Sequence, residues 1–102
     1  MPLDPNGIVY RLVVEAINLG TDSLEIEYKD GHEEIFAVKG AVGQGIARLQ
    51  SSSPEAESLR SQLHSISKRK QRLIVGDYEY ELQCRIYDSF GEDAFRVRVR
   101  RV

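Results

Sequence analysis

The stretch LEIEYKDGHEEIFAV, running from Leu24 to Val38, holds two short runs of alternating apolar and charged residues on either side of Asp30-Gly31. Alternation with a period of two marks a strand with one buried face, and Asp-Gly supplies the positive φ angles of a two-residue type I′ turn. The stretch therefore predicts an antiparallel hairpin. With those two residues as the whole loop, Ile26 stands opposite Ile35 and Leu24 opposite Ala37 on a core face. Glu27 then stands opposite Glu34 on a wet, acidic face.

The same logic extends toward the C-terminus. RLIV at 72–75 and the turn-compatible pair Gly76-Asp77 precede a long alternation, Tyr78, Tyr80, Leu82, Cys84 and Ile86 against Glu79, Glu81, Gln83, Arg85 and Tyr87. The last run sets Phe95, Val97 and Val99 against Arg96, Arg98 and Arg100. A turn at Phe90-Gly91 matches Ile86 with Phe95, Cys84 with Val97 and Leu82 with Val99. On the outer face it sets Glu81 opposite Arg100, Gln83 opposite Arg98 and Arg85 opposite Arg96. Between the two hairpins, Ser53 suits an N-cap, Pro54 the first helical position, and Glu55 and Glu57 the positive end of a helix dipole. Ala56, Leu59, Leu63 and Ile66 recur at spacings of three and four, which gives the helix one apolar stripe.

Two segments complete the order. IVYRLVVEAI, Ile8 to Ile17, is rich in β-branched residues and apolar in both alternating sets, so it reads as a strand covered on both faces. Gly40, Gly43 and Gly45 followed by IARLQ read as a glycine-rich turn into a short helical segment at about 44–50. The expected architecture is one α+β domain over residues 1–102. It has an antiparallel sheet of about five to six strands, with a helical segment inserted between two three-stranded halves and packed on one face.

Composition agrees with one domain. The chain has 102 residues, and its 29 Leu, Ile, Val and Phe residues are enough for a core. A single cysteine, Cys84, forms no internal disulfide and fits a reducing compartment, so a cytoplasmic location is expected. The first 20 residues lack a basic opening followed by an apolar run, and no stretch is apolar enough to cross a bilayer, so neither secretion by that route nor membrane association is expected.

Charge nearly cancels, 14 Lys and Arg against 16 Asp and Glu, which excludes a globally basic nucleic-acid binder. The distribution is uneven. Residues 59–72 carry five basic and no acidic groups, 94–102 carry four and none, and 73–93 between them carry one and six. The blocks Lys68, Arg69, Lys70, Arg72 and Arg96, Arg98, Arg100, Arg101 are thus candidate phosphate contacts, with Tyr87 available for stacking, for RNA or single-stranded DNA. Lys39, Gly40, Gly43 and Gly45 form a weaker candidate anion site, a glycine-rich strand-to-helix junction that fits neither the dinucleotide nor the P-loop pattern; Gly40 to Gly43 spell the GXXG of a KH loop, but that loop joins two helices. His32 and His64 lack neighbours at metal-ligand spacing, and Cys84 belongs to an apolar set, so no catalytic residue, metal or cofactor is assigned. The leading expectation is a small binding or adaptor module acting through surface contacts. Its partner would be a protein or a second copy at a sheet edge, with nucleic acid as the alternative.

Overall fold

Each hairpin predicted from alternation is the core of a three-stranded meander, and the two meanders join side by side. The computed structural model describes residues 6–102. Its elements are α1 (Ile8–Asn18), β1 (Ser23–Lys29), β2 (His32–Lys39), β3 (Val42–Gln50), α2 (Pro54–Ser67), β4 (Gln71–Val75), β5 (Tyr78–Ser89) and β6 (Glu92–Arg101). They form one antiparallel six-stranded sheet in the order β3-β2-β1-β6-β5-β4, with α2 inserted between its three-stranded halves. The central seam pairs β1 with β6, setting Leu24 against Val97 and Ile26 against Phe95.

Both hairpin registers are as expected. Ile26 faces Ile35 and Leu24 faces Ala37 in the first. Ile86 faces Phe95, Cys84 faces Val97 and Leu82 faces Val99 in the second. These inward residues, apart from the half-buried Ile86, are buried and meet Leu59, Leu63 and Ile66 of α2 in one core. Ser53 caps α2 through its hydroxyl, which accepts the Ala56 N–H at 3.1 Å, and Pro54 opens the helix. The 14 residues of α2 span about 21 Å. That nearly matches the roughly 24 Å between the outermost of six strands, so the helix can carry the chain from edge β3 to edge β4.

Two expected elements are corrected. Residues 8–17 form a helix, α1, where a central strand was expected, because Ile8, Val9, Leu12, Val13 and Ala16 fall on one helical face and are all buried. Arg11 and Glu15 fall on the exposed side. The β-branched content suggested a strand, but helix-period packing against α2 and the sheet outweighs so weak a preference. Residues 44–50 belong to strand β3 where a helical turn was expected. A bulge between Ile35 and Phe36 shifts the register by one residue and lets Ile46, Ala47 and Leu49 all pack toward the core. The segment has no helical stripe to bury.

A buried carboxylate fixes α2 to this edge. Glu33 accepts the hydroxyl of Ser51 and lies 3.7 Å from the Arg60 guanidinium, which also donates to the Ser51 carbonyl at 2.8 Å. The group is therefore paired and hydrogen-bonded, as a buried charge must be.

One turn carries local strain. Asp30-Gly31 (φ 50° and 78°) and Phe90-Gly91 (φ 53° and 85°) are the two hairpin turns with paired positive φ angles. Asp tolerates that region, whereas Phe does so poorly, and Phe90 is fully exposed with no packing to offset the cost. Phe90→Asn is expected to raise the unfolding free energy by about 0.5–1 kcal/mol, measured by denaturant titration. A decrease would show that the ring has a stabilising contact.

Candidate functional site

Both helices lie on one face of the sheet, so the opposite face of β1, β6 and β5 is bare. Its side chains follow from register alone. Arg96, Arg98 and Arg100 project from β6, flanked by Glu25 and Ser23 of β1 and by Arg85, Gln83 and Glu81 of β5. All of these but Glu25 line an open groove of about 780 Å³ whose walls also include Asp22, Gly40, Lys70 and Arg101. Six of the lining residues are cationic and two are carboxylates. A chain with a formal charge of −2 thus concentrates positive charge in one place.

The carboxylates neutralise this groove unevenly. Glu81 lies 3.1 Å from Arg100, 3.6 Å from Lys70 and 3.7 Å from Arg72, which Glu79 also holds at 3.4 Å. Arg96 lies 3.7 Å from Glu25. Arg85 and Arg98 are exposed and, among the described residues, have no ion-pair partner. Arg85 stands directly across from Arg96, a cross-strand juxtaposition of like charge that disfavours the pairing and that Glu25 offsets only on the Arg96 side.

The two basic blocks therefore meet in part. Lys70, Arg96, Arg98, Arg100 and Arg101 line the groove, and Arg72 joins it through Glu81. Arg101 also stacks over the Tyr78 ring, 3.7 Å from its centroid. Lys68 caps the end of α2, where its charge suits the helix dipole. It and Arg69 are exposed and do not line the groove. Tyr87 lies on the same face, two residues beyond Arg85 and 40% exposed. Its hydroxyl pKa is raised by partial burial and by the carboxylates of Glu25 and Glu27, against the opposing charge of Arg96.

The glycine segment is a correction. Lys39 ends β2, Gly40 turns the chain with φ 60°, and Gly43 and Gly45 lie within β3, so the expected strand-to-helix junction is a hairpin. No helix N-terminus stands there to receive an anion. Gly43 and Gly45 do not have positive φ angles. They face Val38 and Phe36 across the strand pair, and a Cβ on Gly45 would sit 3.8 Å from the Phe36 ring. Phe36 thus extends over the edge strand, and with Val38, Glu25, Glu27 and Arg96 it borders a smaller hollow of about 480 Å³ beside the groove.

Arg85 was the site residue missing from the sequence reading. The register already placed it against Arg96, and that like-charge pair was the available signal.

The remaining candidates have structural settings. His64 packs its ring edge-on to Phe95 at 5.3 Å and lies 3.5 Å from Asp93, while His32 hydrogen-bonds the Asp30 carbonyl. No group of three His, Cys, Asp or Glu side chains among the described residues could hold a metal ion. No helix among them is long and apolar enough to cross a membrane. Cys84 is buried, which pushes its thiol up to about 11. Alkylation by iodoacetamide at pH 8 should therefore be slow in the folded protein and rapid in denaturant. Because the folded state holds the proton more tightly than the unfolded chain, stability should fall as pH rises from about 9 toward 11. Cys84→Ala should show less of that fall.

The sheet edges are less open than the face. β4 has only five residues, and the Tyr10 hydroxyl of α1 donates to its Ile74 carbonyl at 3.0 Å. The bulged pairing at β3 twists that edge, another common guard against strand addition. No protein-family model matches the chain, and no curated protein matches it either.

Proposed function

We propose that this protein is a small binding module that works through the bare face of its sheet, by surface contacts and without chemistry of its own. The observation that carries the reading is the groove over β5, β6 and β1, where Arg85 and Arg98 are held in register without carboxylate partners among the described residues. Arginines on paired strands leave the backbone at fixed spacings, and their planar guanidinium forks match phosphate or carboxylate groups. The guarded edges favour this face over strand addition as the working surface.

Titration with inorganic polyphosphate, followed by amide chemical shifts, tests the reading. Shifts should concentrate at Gln83, Arg85, Arg96 and Arg98 and leave the Asp30-Gly31 turn unmoved. Shifts confined to Lys68 and Arg69, or none at all, would refute it.

A further inference from the structure

We infer that the ligand of this face is single-stranded nucleic acid, with its backbone along β6 and a base stacked on Tyr87. The inference rests on the proposed role of the face and adds the class of ligand. Outward side chains of one strand repeat every two residues, about 6.7 Å. Arg96, Arg98 and Arg100 therefore form a row whose spacing is of the same order as successive phosphates in an extended single strand. Arg85 doubles the row at Arg96, and Lys70 and Arg101 extend the cationic lining at the opposite end.

The end of the row changes character. Beyond Arg85 and Arg96 the face carries Tyr87, and the adjoining hollow is bordered by Phe36, Glu25 and Glu27. Carboxylates there repel phosphate but accept hydrogen bonds from the N–H groups of bases, the ring imide of thymine included, and exposed aromatic rings stack bases of any sequence. Phosphates are thus favoured over β6 and a base over Tyr87. A groove of about 780 Å³ spread over three strands gives an extended strand room that a small anion would not need. A run of Asp and Glu would satisfy the arginines equally well, but it offers no ring to stack at the aromatic end.

Fluorescence anisotropy on the full chain separates the cases, using a labelled oligothymidine, a labelled duplex, polyphosphate matched in charge, and a poly-glutamate peptide. Oligothymidine should bind most tightly of the four. Tyr87→Leu should weaken it about tenfold or more while leaving polyphosphate affinity unchanged, and Tyr28→Leu, on the other hairpin, should change neither. Arg98→Gln should lower the slope of log affinity against log salt by about 0.7, as for one lost phosphate contact. Equal binding of oligothymidine and polyphosphate, or tighter binding of duplex or poly-glutamate, would overturn the nucleic-acid assignment and leave the anion-binding face standing. Binding of none of the four would overturn both.

Discussion

Phe95→Ala is expected to lower the unfolding free energy by about 3–5 kcal/mol, which in a small domain is a large part of the total. Phe95 is fully buried at the centre of the sheet. It faces Ile26 across one seam and Ile86 across the other, and the edge of His64 from α2 rests against its ring. Truncation would leave a cavity where both meanders and the helix meet, so no single element could relax to fill it. Urea unfolding followed by circular dichroism would measure the loss. A cost below about 1.5 kcal/mol would mean that the two halves do not share one core.

Val13→Asp should cost more than about 4 kcal/mol, whereas Glu15→Ala should stay within about 0.5 kcal/mol of the parent. Val13 is fully buried on the inner side of α1, and Glu15 is exposed. In a strand the two positions would share a face, but in a helix they lie on nearly opposite sides. The pair of variants therefore tests α1 itself as well as its packing. Similar costs at both positions would favour the strand that β-branched composition suggests.

That contrast shows what local pattern can and cannot decide. The turns Asp30-Gly31 and Phe90-Gly91 fix their registers because a one-residue slip would turn every apolar side chain outward. The α2 stripe was equally legible, since its cap and its spacing agree. Residues 8–17 were ambiguous because apolar residues fill both alternating sets. Only the exposed positions of Arg11 and Glu15, read at a period of 3.6, separate helix from strand. At 42–50 the informative partner is distant in sequence. Gly45 makes sense as a strand residue once Phe36 is seen to lie over it.

The proposed binding face was legible only as far as the registers reach. Cross-strand pairing placed Glu81 with Arg100 and Arg85 with Arg96. It could not show that β1 lies on the other side of β6 and brings Glu25 to Arg96, or that the chain leaving α2 brings Lys70 and Arg72 to Glu81. Those contacts depend on the strand order, which no local pattern encodes. They also decide which arginines remain available, since one carboxylate holds Lys70, Arg72 and Arg100 while Arg85 and Arg98 have none among the described residues.

If Arg85 and Arg98 serve a ligand, the fold should not need them. The most direct test is thermal unfolding of the parent and of the Arg85→Gln, Arg98→Gln double variant, each with and without inorganic polyphosphate. Without polyphosphate the variant should be at least as stable as the parent, because a like-charge cluster has been relieved. With it, the parent midpoint should rise as expected for a ligand that binds the folded state, and the variant midpoint should move little. A variant less stable than the parent in the absence of polyphosphate, or one that keeps the full rise in its presence, would contradict the assignment of this face as the binding surface.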